Sequence, residues 1–203
     1  MRETIAIIDF ETTGLSPAKG ARVTEVAAVR VIDGSIADSF QSLMNSGEPV
    51  PQEIERITGI TTQMVQQAPP VASVLQKLQA FLNGITLVVA HNAKFDDAFL
   101  TAEYRRAGMA ISAKFACSLK LAQRVYPRSP NYKLATLLGY ADIPHSGNFH
   151  RALGDATATA HLWLQMRRDI HAAHRLDLKH EQLATLAEMP FDQFTRTLAD
   201  WKK

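Results

Sequence analysis

The stretch Ile5-Ala6-Ile7-Ile8-Asp9-Phe10-Glu11-Thr12-Thr13-Gly14 decides how the rest of the chain is read. It begins as a short apolar run rich in β-branched residues, the pattern of a buried strand. It ends in two carboxylates two residues apart. Side chains alternate along a strand, so Asp9 and Glu11 share a face. That face is not expected to be core, because adjacent buried carboxylates repel, desolvate at high cost or give up their charge. A divalent cation between them resolves the conflict, and carboxylate oxygens suit magnesium or manganese. By itself Asp-x-Glu is also the polar end of an ordinary strand, so the choice rests on what the remaining sequence supplies.

Composition narrows the classes. The 203 residues suit one domain with a small appendage, and a hydrophobic share of 46% is enough for a substantial core. A net charge of +2 with a pI of about 8.7 is too mild to argue for nucleic acid unaided. The single Cys117 excludes an intrachain disulfide and a cysteine-based zinc cage, and fits a reducing compartment. Met1-Arg2-Glu3-Thr4 leads directly into a strand without a signal-peptide apolar region, and the longest clear apolar run, Ile85 to Ala90, is far too short to span a bilayer. The expectation is a soluble cytoplasmic protein with no membrane partner.

Outward from the first strand, Thr12 to Gly20 reads as a turn-rich loop and Val23 to Ile32 as a second strand. Asp33-Gly34 is a hairpin signal leading to a third strand, Ser35 to Met44, so three strands form an antiparallel meander. Short helices are expected at Glu53 to Ile57 and Thr62 to Gln67, and a longer one at Val71 to Leu82, where apolar residues recur at helical spacing. Then follow a strand at Ile85 to Ala90, a helix at Ala93 to Arg106, a strand at Phe115 to Ser118 running into a helix that stops at Pro127, a short helix at Lys133 to Leu138, and a long helix from Asn148. A meander followed by αβαβα is an α/β chain: a mixed sheet with helices on its faces.

Two further clusters bear chemistry. His91-Asn92-Ala93-Lys94-Phe95-Asp96 lies where the fourth strand hands over to a helix, the end of a sheet where ligands collect. Asp96 also suits a helix N-terminus electrostatically, Asn92 suits a helix cap, and His91 reads as structural. His150-Arg151-Ala152-Leu153-Gly154-Asp155 opens the last long helix. Asp155 lies among Leu153, Ala156 and Ala160, and a carboxylate on so apolar a stretch needs a partner, for which a metal is suitable. His150 precedes the helix, and the ordinary histidine pKa of about 6.5 suits a general base.

Taken together, the chain resembles the DnaQ-like (DEDDh) 3′–5′ exonuclease superfamily, which includes polymerase proofreading subunits. Its three motifs are matched in order by Asp9-Phe10-Glu11-Thr12-Thr13-Gly14-Leu15, by Asn92-Ala93-Lys94-Phe95-Asp96 and by His150-Arg151-Ala152-Leu153-Gly154-Asp155. The likeness covers about Glu3 to Arg168. In the related DEDDy group a tyrosine stands four residues before the last aspartate; here that position is Arg151, and the histidine stands five before. Thr58-Gly59-Ile60-Thr61 also looks like the family's connecting segment.

The resemblance implies a ribonuclease-H-like mixed five-stranded sheet flanked by helices, with an exonuclease domain over 1–170 and a helical extension over 171–203. It implies that Asp9, Glu11, Asp96 and Asp155 bind two magnesium or manganese ions while His150 helps activate water. It further implies hydrolysis at single-stranded 3′ ends, DNA foremost, with release of nucleoside 5′-monophosphates. Thr12, Thr13, Gly14 and Leu15 carry over as contacts to the terminal nucleotide, Leu15 as a wedge or as simple packing, and Asn92 of the second motif joins them. Glu25 reads as a supporting residue and not a ligand.

From Tyr104 to Tyr140 the chain holds seven Lys and Arg residues and no acid, with Tyr126, Tyr132 and Tyr140 interleaved, which suits a single strand's phosphates and bases. Phe191, Phe194, Leu198 and Trp201 make an apolar stripe that either packs at home or docks a polymerase or other subunit. The competing readings are an RNA 3′-end exonuclease, a subunit acting through a polymerase, and a binding module on a nuclease fold.

Overall fold

The computed structural model describes residues 3–110, 113–145 and 150–202. The strands are β1 (Thr4–Thr12), β2 (Val23–Ile32), β3 (Ser35–Leu43), β4 (Leu87–Ala90) and β5 (Lys114–Cys117). They form one sheet in the order β3-β2-β1-β4-β5. β1, β2 and β3 pair antiparallel, and β1, β4 and β5 pair parallel. The mixed five-stranded α/β sheet expected from the sequence is therefore present, with the carboxylate strand at its centre.

Helices cover both faces: α1 (Gln52–Thr58), α2 (Thr62–Gln67), α3 (Val71–Phe81), α4 (Lys94–Arg106), α5 (Ser118–Val125), α6 (Leu134–Tyr140), α7 (Ala152–His174), α8 (His180–Glu188) and α9 (Phe191–Trp201). The alternation in β1 sorts them. Ile5 and Ile7 pack with Leu162, Trp163 and Met166 of α7, whereas Ala6, Ile8 and Phe10 pack with Leu75 and Leu78 of α3 and Phe99 and Leu100 of α4. Val50, Ile60 and Val65 form a small separate core under α1 and α2. Thr58-Gly59-Ile60-Thr61 is the joint between those two helices: Gly59 closes α1 at φ 70°, and the Thr61 hydroxyl caps α2 by accepting from Met64 N at 3.2 Å. A left-handed turn of this kind is where glycine is cheapest.

Several boundaries move. β4 starts at Leu87 and not Ile85; Thr86 contributes only its carbonyl, which accepts from Lys114 N at 2.8 Å. α6 runs through Gly139 instead of stopping before it, carried by burial of Leu137 and Leu138. The last long helix starts at Ala152, while Asn148, where it was expected to begin, lies outside the described residues. The tail does not stand apart. Leu183, Leu186 and Ala187 of α8 and Phe194 and Leu198 of α9 are buried in the same core as α7, and only Phe191 and Trp201 of the apolar stripe are exposed. Among the described residues no helix is long and apolar enough to cross a membrane.

Candidate active site

Asp9 and Glu11 continue the row of Ile5 and Ile7, so they point toward the layer that α7 occupies. The expectation that this face avoids the core is corrected in that respect: the face is the packed one. The two carboxylates remain half-buried at the end of β1, where α7 begins at Ala152. The first turns of α7 bring Asp155 up to them. Ligand atoms of Glu11, His150 and Asp155 lie within 4.8 Å of one another. Asp96, buried in the first turn of α4, accepts from the backbone N–H of Phe10 between the two strand carboxylates.

Electrostatics follow from this crowding. Burial, then the charges of Asp96, Asp155 and Glu11, hold the Asp9 carboxyl well above the usual range. Burial pushes Glu11 up to about 7, with Asp155 and Glu25 adding to the rise and Arg151 opposing it. Asp96 is raised by burial against the opposing pull of backbone N–H groups. Asp155 is raised by burial although the His150 N–H donates to its Oδ2 at 2.8 Å. Its other oxygen, Oδ1, is buried with no hydrogen-bond partner. An orphaned carboxylate oxygen beside three more carboxylates is a donor set that fits hard divalent cations, which would relieve both the repulsion and the unmet hydrogen bond.

The loop after Glu11 is braced from behind. Thr13 N donates to Arg22 O at 2.8 Å, and Arg22 N donates to Thr13 Oγ1 at 2.9 Å. The Arg22 guanidinium grips the buried Glu103 of α4 through Nε at 2.7 Å and Nη2 at 2.9 Å. Thr12 is buried and spends its hydroxyl on the Gly14 carbonyl at 2.7 Å, so its side chain is turned into the loop. Leu15 is 89% exposed, which excludes simple packing as its role in the free protein. Asn92 is not the cap of α4: it sits one residue ahead of the cap position in the left-handed region at φ 68°, and its carbonyl accepts from Phe95 N at 2.9 Å. His91 is structural, held by Ser118 Oγ and the Tyr132 carbonyl at 2.9 Å each, with burial pushing its pKa down.

Glu25 lies directly across from Glu11 in the β1–β2 register. It binds Arg151, Ala152 N and Gln41, which fits the supporting role read from the sequence. The basic stretch is less free than expected. Lys120 is paired with Glu188, Arg124 donates to the Met189 carbonyl, and Arg106 binds Glu103 and the Pro17 carbonyl. The Tyr126 hydroxyl is taken by Asp169, and that of Tyr132 donates to the Tyr126 carbonyl at 3.3 Å. Those two rings are framework, not a stacking platform; Tyr140 is the exposed one. Arg22, Glu103 and the Arg151–Glu25 pair were not singled out from sequence, because their partners lie 81 and 126 residues away and leave no local signal.

Comparison with known proteins agrees with this geometry. Residues 6–163 match the RNase_T family, described as Exonuclease. The DNA polymerase III PolC-type of Bacillus subtilis (strain 168) is 38% identical over 183 residues, which cover 89% of this chain and 12% of that protein. The 3′-5′ exonuclease DinG of the same strain is 31% identical over 198 residues, covering 97% of this chain and 21% of that protein. The chain thus spans only a small part of the length of these relatives. Among solved structures, Exonuclease X in complex with 5′ overhanging duplex DNA superimposes with a TM-score of 0.71 at 27% identity, covering 90% of this chain and 99% of that one. The nuclease domain of 3′hExo, a DEDDh family member, bound to rAMP, has the same fold with a TM-score of 0.72 at 22% identity, covering 82% and 92%. The carboxylates gathered at the end of β1 stand within the matched region, and the chain belongs to the RNase_T exonuclease family.

Proposed function

We propose that the chain is a DEDDh-type 3′–5′ exonuclease that hydrolyses the terminal phosphodiester bond of single-stranded ends, DNA foremost, and releases nucleoside 5′-monophosphates. The observation that carries this reading is the meeting of Glu11, His150 and Asp155 within 4.8 Å, beside Asp9 and Asp96. A histidine so close to the carboxylates suits a general base, and a tyrosine is lacking four residues before Asp155, where Arg151 stands.

Asp9, Glu11, Asp96 and Asp155 are the residues that would hold two magnesium or manganese ions, which when bound supply Lewis acidity to the attacking water and to the leaving 3′ oxygen. His150 accepts the proton of the attacking water. The new P–O bond forms as the P–O3′ bond breaks, and the leaving oxygen ends as the 3′-hydroxyl of the shortened strand. Thr13 keeps a hydroxyl hydrogen free to donate to the strand end, since its oxygen accepts from Arg22 N. The exposure of Leu15 supports its reading as the contact to the terminal base. Backbone at Thr12 and Gly14 and the side chain of Asn92 complete the contacts.

The PolC-type relatives support a role beside a polymerase as a second reading, and DinG supports a nuclease module within a larger protein. The exonuclease unit is assigned to 1–170 and the helical extension to 171–203, in the cytoplasm. The test is a time course on 5′-labelled single-stranded DNA and RNA of one sequence, with magnesium and with EDTA, against an Asp9→Ala control. A magnesium-dependent ladder shrinking from the 3′ end supports the reading, and the faster substrate selects DNA or RNA. A folded, metal-loaded protein that digests neither overturns it.

A further inference from the structure

The segment that carries His150 into α7 is held by a carboxylate from the opposite end of the chain. Glu25 is buried at 1% exposure on β2. Its Oε1 accepts from Arg151 Nη2 at 2.8 Å and from Gln41 Nε2 at 2.9 Å, and its Oε2 accepts from Arg151 Nε at 3.1 Å and from Ala152 N at 3.0 Å. Arg151 occupies the cap position of α7 and makes no cap bond of its own. The orphan N–H at the helix start is met from β2 instead.

This is a costly way to cap a helix. A serine or aspartate at the cap position would meet the N–H locally, whereas an ion pair with its carboxylate buried and its guanidinium half-exposed gains little net stability after desolvation. What the arrangement does, and a local cap cannot, is tie α7 to the strand residue opposite Glu11. His150 needs such a tie. Its backbone stands at φ 70°, a left-handed conformation that a non-glycine residue keeps only when its surroundings impose it. On the side leading into α7 the imposing contacts include His150 N on Asp155 Oδ2, Arg151 N on the same carboxylate, the Arg151 fork on Glu25, and Ala152 N on Glu25.

We infer that Glu25 and Arg151 are positioning residues, a clamp that sets His150 and Asp155 against Glu11 so that the chemical step, and not strand binding, depends on it. The inference rests on the exonuclease reading for its kinetic half only. Both act through His150, Asp155 and Glu11, the groups that they hold together. The bidentate fork matters as much as the charge, because lysine offers a point charge and no fixed geometry. Losing an outer partner of this kind costs roughly 10–100-fold in metal affinity or rate.

The experiment uses the full chain as wild type, Arg151→Lys, Arg151→Gln, Glu25→Gln and the double Glu25→Gln/Arg151→Gln variant. The double variant keeps a hydrogen-bonded pair without leaving a buried charge unpaired, so it guards against simple unfolding. Manganese affinity is measured calorimetrically without substrate, and kcat and KM on a 5′-labelled single strand. The expected result for the folded variants is kcat lower by about 10–100-fold with KM within about threefold, weaker manganese binding, and partial recovery in Arg151→Lys. Wild-type hydrolysis with unchanged kcat and manganese affinity in the folded variants overturns the clamp and leaves the exonuclease reading standing. Wild type that digests neither DNA nor RNA, with manganese affinity still lost in the variants, overturns that reading and leaves the clamp standing.

Discussion

The backbone N–H of His150 donates to Oδ2 of Asp155 at 2.8 Å, so one carboxylate both faces the site and fixes the residue proposed as its base. The two duties separate by substitution. Asp155→Asn keeps an oxygen for the His150 N–H and loses the charge; Asp155→Ala loses both. Hydrolysis is expected to vanish in each. Only the alanine variant should also lose about 1 kcal/mol of stability, the usual net worth of such a hydrogen bond. Urea unfolding of the two metal-free variants checks this, and equal midpoints would remove the anchoring role.

Asp9 carries the other side of the same conflict. Its carboxyl is held far above its ordinary range by burial and by four neighbouring acids, so the metal-free fold is under strain there. Asp9→Asn should therefore stabilise the metal-free protein by roughly 0.5–2 kcal/mol while abolishing hydrolysis, the usual trade at a functional site. Magnesium or manganese should raise the wild-type Tm by binding only the folded state, and raise that of Asp9→Asn much less. Thermal melts with and without about 10 mM cation read both effects.

What the sequence made legible was what repeats locally. Alternation in β1 puts Asp9 and Glu11 on one face, and three short motifs single out His150, Asp96 and Asp155. What stayed hidden depends on long-range pairing. The Arg22–Glu103 brace behind Thr13 spans 81 residues, and the Glu25–Arg151 clamp spans 126. Neither changes the periodicity of its own segment. Part of the basic stretch is occupied by long-range partners of the same kind: Glu188, Asp169 and the Met189 carbonyl, which take Lys120, the Tyr126 hydroxyl and Arg124, arrive from α7 and the tail.

Those tail contacts give a graded prediction. Leu198 is fully buried in the α7 core, so Leu198→Ala should cost about 2–5 kcal/mol. Glu188 is exposed and its pair with Lys120 is a surface one, so Glu188→Gln should change stability by less than about 1 kcal/mol. It should instead free Lys120 for phosphate and steepen the salt dependence of single-strand binding by about one counterion. Fluorescence anisotropy at several salt concentrations, with metal replaced by EDTA to prevent digestion, measures the slope. An unchanged slope takes Lys120 out of the strand's path.

The last prediction concerns acid stability and lies away from the carboxylates. His180 opens α8 fully buried. Its Nδ1 accepts from Trp163 Nε1 at 3.0 Å, which puts the ring proton on Nε2, 3.9 Å from Oε2 of Glu3. Burial pushes its pKa down to about 4, with Glu3 opposing and Arg167 assisting. The unfolded chain, with an ordinary histidine pKa near 6.5, takes up this proton first. Stability from keeping His180 neutral is thus complete above about pH 6.5 and is lost as the pH falls toward 4, on the order of 3 kcal/mol in all. Urea midpoints between pH 7.5 and 4.5 should fall more steeply for wild type than for His180→Gln, whose amide oxygen still accepts from Trp163 but does not titrate. Parallel curves for the two proteins would mean that the acid sensitivity arises elsewhere.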